Sequence, residues 1–195
     1  KELLSRAGSI DSWLQSLETR VSVELLNGAN IERVTQLFNK TNQMNLSTRR
    51  LTKGEILDWV RDGERTFMAI RVVDKYGDYG LVGIASLSHP AGQESVVTDF
   101  ILSCRVMGRK VEETMLYVLS IFAKTKGASE LHLCYQPTSK NQPCLRFLES
   151  AGLKRGEGVH RFMIELAQPY PKPSTISLEM TWLDNQIVEV DGCSR

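Results

Sequence analysis

The sequence predicts a mixed α/β fold, one sheet flanked by helices. Three observations carry this. Apolar segments of period two alternate with segments of period 3.6, in the order strand, two helices, hairpin, strand, helix, strand, helix, strand. Two β-rich runs near 66–73 and 80–87 lie at hairpin spacing around Asp74-Lys-Tyr-Gly-Asp-Tyr79. An apolar run over 95–104 leads directly into a long amphipathic segment at 111–126, closed by Gly127.

Taken in order, residues 9–20 suit a helix capped by Ser9 or Asp11, with Trp13, Leu14 and Leu17 on one face. Val21 to Leu25 alternates as a strand, and Asn27-Gly28 turns the chain. Asn30 is placed to cap a helix in which Ile31, Val34, Leu37 and Phe38 recur at helical spacing. A dense polar segment, 39–50, follows. Thr52 and Glu55 form a capping box for a helix carrying Ile56, Leu57, Trp59 and Val60, ended by Asp62-Gly63. After the hairpin, the apolar strand and the long helix, Glu130–Tyr135 reads as a strand. Asn141, Pro143 and Gly152 then mark the cap, first turn and end of a short helix. Residues 153–155 and 161–166 read as two last strands. Pro169, Pro171 and Pro173 suggest a linker, with a possible strand at Gln186–Val190. The expected division is 1–20 as a helix or linker from a preceding domain, 21–167 as the folded domain and 168–195 as a linker or extension.

The chain has 195 residues and a formal net charge of +1, from 24 basic and 23 acidic side chains. This balance argues against a nucleic-acid binder, whose signature is a basic excess. No apolar run approaches the ~20 residues of a membrane span, and the N-terminal segment lacks a signal peptide's apolar core. The chain starts without Met, which suggests a piece of something longer. The four cysteines, Cys104, Cys134, Cys144 and Cys193, and three histidines are scattered, so no metal site is expected and free thiols in a cytoplasmic setting are the default.

The turn between the apolar strand and the long helix is the first candidate site. Leu102 and Ser103 lead into it, and Arg105, Gly108, Arg109 and Lys110 offer backbone amides and positive charge at a helix N-terminus, where an anion is favoured. The expected ligand is a phosphate-bearing arm, either coenzyme A or the phosphopantetheine of a carrier protein. The alternative is an ordinary strand-to-helix turn with solvated charges.

The element order and this turn resemble the GNAT acyltransferase fold, whose sheet is mixed and mostly antiparallel. The family's pyrophosphate loop, Gln/Arg-x-x-Gly-x-Gly/Ala, is similar to Arg105-Val-Met-Gly108-Arg-Lys110, with Lys110 at the usual small position. A second motif, Asn-x-x-Ala followed by an aromatic and Gly-Phe, resembles Asn141-Gln-Pro-Cys144, Phe147 and Gly152-Leu153. Phe147 and Leu148 leave the family's Tyr general acid unfilled. The segments 38–50, 75–83 and 102–109 further resemble the C-terminal half of FkbH-like proteins, which join a HAD-type phosphatase domain to a GNAT-like one. That resemblance implies loading of a three-carbon glyceryl-type unit onto an acyl carrier protein of polyketide biosynthesis. The HAD Asp-x-Asp-x-Thr motif is absent from this chain, so a phosphatase step is not carried by these residues.

Within that frame Cys104, between Ser103 and Arg105 at the helix entry, is the candidate nucleophile, against the alternative of a small core residue. Asn42, Gln43, Asn45, Thr48 and Arg49 are candidates for binding a hydroxylated acyl group or its carboxylate, against a solvated polar loop. Tyr135 and Asn141 are placed at the split after the strand at 130–135, Asn141 as an arm contact or a helix cap. His132 falls on the opposite face and reads as structural. Asp99, inside an apolar strand, must line a cleft or be paired. Three functions compete: acyl loading of a carrier protein, CoA-dependent N-acetyl transfer, and a non-catalytic GNAT fold that docks a carrier protein or a HAD partner.

Overall fold

The computed structural model describes residues 10–61, 63, 65–90 and 94–182. A short helix α1 (Ile10–Gln15) precedes β1 (Arg20–Leu25), α2 (Ile31–Lys40), a two-residue β2 (Met44–Asn45) and α3 (Lys53–Arg61). The hairpin is β3 (Arg65–Asp74) and β4 (Gly77–Ser88), followed by β5 (Glu94–Leu102), a 3₁₀ turn at Cys104–Val106 and α4 (Val111–Thr125). Then come β6 (Glu130–Cys134), α5 (Gln142–Ser150), β7 (Lys154–Arg155), β8 (Arg161–Glu165) and β9 (Ser177–Met180). The strands form one sheet in the order β7-β8-β6-β5-β4-β3-β1-β9, with β2 added to β5. Most neighbours are antiparallel; β5 with β6 and β1 with β9 are parallel.

Alternation along the strands sends side chains into two cores. Met68, Ile70, Phe100 and Leu102 meet Val111, Met115, Leu116 and Leu119 of α4 on one face. Phe67, Ala69, Ile84 and Ile101 meet Val34, Leu37 and Phe38 of α2 and Ile56 of α3 on the other. The Thr52–Glu55 capping box forms as read: Glu55 Oε2 accepts the Thr52 N–H at 2.7 Å, and Thr52 Oγ1 accepts the Glu55 N–H at 3.3 Å.

Four expectations change. The hairpin turn is tighter than its sequence suggests. Only Lys75 and Tyr76 lie between the paired Asp74 and Gly77, and Asp74 Oδ1 accepts the Tyr76 N–H at 2.7 Å. Asn30 and Asn141 do not cap their helices by side chain. Asn30 instead accepts from the Asn27 N–H at 2.9 Å and donates to Leu25 O at 3.0 Å, because tertiary and turn partners compete with the cap. The proline-containing segment is not merely a linker. It crosses α4, where Tyr170 N–H donates to Ser120 Oγ at 2.9 Å, buries Ile176 and adds β9 beside β1. The expected strand at Gln186–Val190 lies outside the described residues.

One irregularity positions the site. Ser86 pairs with Asp99 but Leu87 pairs with Val97, so Thr98 is an extra residue in β5. Such a bulge twists a strand and re-aims its side chains. The parallel pairing of β5 with β6 covers only Glu94–Val97, ending at this bulge. Beyond it the two strands part.

Candidate functional site

The loop leading into α4 turns on Gly108 (φ 73°) and Lys110 (φ 66°), both in the left-handed region. For Lys110 that conformation is strained, and strain of this kind clusters where a loop is held for a purpose. The Gly108 N–H donates to Glu112 Oε1 at 2.8 Å. Glu112 is 4% exposed, and burial pushes its carboxyl above the usual carboxylate range, opposed by the amide bond from Gly108. Its Oε2 is buried without a partner. The basic residues are also engaged. Arg109 Nη1 pairs with the buried Asp74 carboxylate and donates to Tyr79 Oη at 2.8 Å. Lys110 Nζ pairs with Glu113 at 2.8 Å, and Arg105 reaches Ser103 Oγ and Tyr79 O, each at 3.3 Å. Of the residues read as an anion loop, Gly108, Arg109 and Lys110 thus answer carboxylates of the chain itself.

The gap between β5 and β6 is filled as well. Met44 pairs with Leu102 and Asn45 with Ile101. The Leu46 N–H donates to Phe100 O at 3.0 Å, and the Gln136 N–H donates to Leu46 O at 2.9 Å. Asn141 locks this plug. Its Nδ2 donates to Asn45 O at 2.9 Å and Gln136 O at 2.8 Å, while Oδ1 accepts from Tyr135 Oη at 2.7 Å and the Thr138 N–H at 2.8 Å. Asn45 and Asn141 are wholly buried and Tyr135 is 3% exposed, so this predicted trio is an internal knot. Cys144 is buried beside it, its thiol pushed up to about 12 by desolvation. An extended arm entering here would need the backbone groups of β5 that β2 already uses. At the loop and at the cleft, the Gly108 amide and the β5 edge are thus both taken by groups of the chain itself.

What stays open lies at the end of β5. Leu102, Ser103 and the exposed Cys104 line a cavity of about 270 Å³ together with Lys40, Thr41, Asn42 and Gln43. Four of the other residues singled out from sequence, Asn42, Gln43, Leu102 and Ser103, thus line one cavity with the exposed Cys104. Cys104 sits in the 3₁₀ turn rather than inside the buried strand, which separates it from the core role of Cys144.

A second polar cluster forms at the bulge. Asp99 is fully buried and paired, as its position in an apolar strand required. Arg49 Nη2 reaches Asp99 Oδ2 at 2.8 Å, Ser47 Oγ donates to Oδ1 at 2.7 Å and Ser86 Oγ donates to Oδ2 at 2.6 Å. Arg49 Nη2 also donates to Thr98 O at 2.8 Å. A cavity of about 400 Å³ opens here between Ser47, Arg49, Val96, Val97, Thr98, Cys134 and Gln136. Ser47, Ser86, Thr98, Cys134 and Glu112 escape a reading of the sequence, because each gains its role from a tertiary neighbour. The lone Asp in an apolar run is the one signal that points to the first four of these; none points to Glu112. Elsewhere Glu94, Glu130 and His132 bring one donor atom each within 4.8 Å of one another on the open side of β5 and β6. No helix among the described residues is long and apolar enough to cross a membrane.

No family model matches the chain, and no curated protein does. Solved structures do. An acetyltransferase of the GNAT family from Staphylococcus aureus Mu50 superposes with a TM-score of 0.55 at 10% identity, covering 75% of this chain and 99% of its own. A spermidine N-acetyltransferase from Vibrio cholerae, solved with CoA and spermine, gives 0.55 at 14% identity, covering 76% and 96%. A domain from Methanocaldococcus jannaschii DSM 2661 gives 0.57 at 12% identity, covering 75% and 99%. The chain therefore has the α/β GNAT fold, and about a quarter of it lies outside what these neighbours share.

Proposed function

We propose that this chain is the GNAT-like module of an acyl-loading protein, transferring a three-carbon, glyceryl-type unit to the phosphopantetheine thiol of an acyl carrier protein in polyketide biosynthesis. The observation that carries the reading is the exposed Cys104 in a cavity it shares with Asn42, Gln43 and Ser103. The GNAT fold and the resemblance of the polar segments to FkbH-like proteins support it. The Cys104 thiolate attacks the acyl carbon of an activated donor, and the donor's thiolate or phosphate leaves with its electron pair. The carrier thiolate then attacks the enzyme thioester, and Cys104 departs as thiolate. A thioester exchanged for a thioester is near thermoneutral and needs no strong acid, so the missing Tyr is not required. Asn42 and Gln43 supply amide partners for the hydroxyls of the acyl unit.

N-acetyl transfer from coenzyme A, the activity named for the Vibrio neighbour, fits less well. The Gly108 amide is taken by Glu112 and the β5 edge by β2. Those same two contacts favour a second reading, a GNAT fold kept for docking a carrier protein or a HAD-type domain without chemistry. Titration of the chain with holo and apo carrier protein separates the two. Tighter binding of the holo form supports arm recognition at Cys104, and equal affinities support surface docking.

A further inference from the structure

We propose that Arg49, Trp59 and Arg65 form a binding site for a small oxyanion, a carboxylate or a phosphoryl group. The site does not depend on the carrier-protein reading. Two guanidinium groups lie against one indole: the Arg49 carbon is 4.6 Å from the Trp59 ring centroid and the Arg65 carbon 4.0 Å. The indole is itself fixed, stacked on Phe67 at 6.2 Å between centroids with an interplanar angle of 23°. A guanidinium laid on an aromatic face keeps its edge N–H groups available for a planar or tetrahedral oxyanion.

Among the described residues the local charges do not cancel. Asp99 is the carboxylate in contact, and Arg49 answers it through Nε and Nη2. Two serine hydroxyls use the remaining lone pairs of Asp99. Asp58, next to Trp59 in sequence, pairs with Arg61 at 3.1 Å. Arg65 is left without an acid among the described residues, and its Nη1 is buried with no hydrogen-bond partner. A buried charged donor without an acceptor is unfavourable, and an oxyanion meets that need. The cavity of about 400 Å³ beside Arg49, edged by Ser47, Thr98 and Gln136, gives room and polar partners for the carbon part of a hydroxy acid.

The test is calorimetric titration of the full chain with inorganic phosphate and, separately, with glycerate, at constant ionic strength set by chloride. The Trp59 indole N–H signal, assigned with Trp59→Phe, serves as a local reporter. Saturable binding by either probe is expected, with the Trp59 signal shifting, and Arg65→Gln should weaken it at least tenfold while leaving the thermal midpoint near wild type. Arg65→Lys, which keeps the charge but not the planar fork, should fall between. Phosphate alone or glycerate alone binding identifies which oxyanion the site takes. No saturable binding by either probe, or binding unchanged in Arg65→Gln, overturns the proposal. Neither result touches the acylation of Cys104, which is read separately by mass.

Discussion

Glu112 accepts the Gly108 N–H through Oε1 at 2.8 Å, so the amide that opens the α4 loop is answered from within the same helix turn. A carboxylate at a helix N-terminus is favourable, and here it stands where an incoming phosphate would otherwise be drawn. That contact carries a pH signature. Burial raises the Glu112 carboxyl above its ordinary value of 4.5, with the Gly108 bond opposing the rise. The native state then holds a proton that the unfolded chain has released just above that value. Stability from this group is full below 4.5 and is lost as pH rises through the raised native value. Glu112→Gln keeps an acceptor for Gly108 and removes the titration. Urea midpoints measured from about pH 4 to pH 7 should show the wild type losing ground to the variant as pH rises. Parallel profiles would contradict this.

Asp99 and Arg49 set a second expectation. Asp99→Ala leaves the Arg49 guanidinium and the hydroxyls of Ser47 and Ser86 without their shared acceptor. Breaking such a buried pair from one side should cost about 3 kcal/mol, read from urea unfolding. A loss under about 1 kcal/mol would mean that water replaces the carboxylate freely.

Asn141 ties β2 to the chain after β6 through Asn45 O and Gln136 O. Asn141→Ala should destabilise by about 2 kcal/mol, since it strands buried carbonyls and the Tyr135 hydroxyl. Hydrogen exchange should rise first at the Leu46 and Gln136 amides, which bridge the plug to both sides. A rise confined to α5 would instead give Asn141 the capping role that its sequence position suggests.

Thiol access separates the cysteines. Cys104 is exposed, Cys134 half-buried and Cys144 buried with its thiol pushed up to about 12. Alkylation at pH 8, mapped by peptide mass, should label Cys104 faster than Cys134, and Cys144 only on unfolding. Comparable rates at Cys104 and Cys144 in the folded state would remove the distinction on which the nucleophile assignment rests.

How much of this was legible follows from the range of each interaction. The long period of α4, the hairpin and the Thr52–Glu55 box are local patterns, and the structure reproduces them. Asn30 and Asn141 carry the right residue type for caps, yet partners at Leu25, Asn45 and Gln136 take their side chains. No window of sequence holds those partners together. The two-residue β2 is too short to show a period, and the prolines that suggested a linker precede β9 without entering it. At the site, the loop basic residues were visible but the acids that answer them, Asp74, Glu112 and Glu113, become neighbours only through the fold. The meeting of Asn42, Gln43 and Cys104 combines two segments named separately from sequence, joined because β2 lies along the end of β5.

The most direct test of the central claim is intact-mass measurement of the full chain after incubation with an activated glyceryl-type donor, followed by holo carrier protein. The account expects a mass gain of one acyl unit on Cys104 that is discharged to the carrier thiol, and no gain in Cys104→Ala. A Cys104→Ala chain that still loads the carrier at the wild-type rate would contradict it.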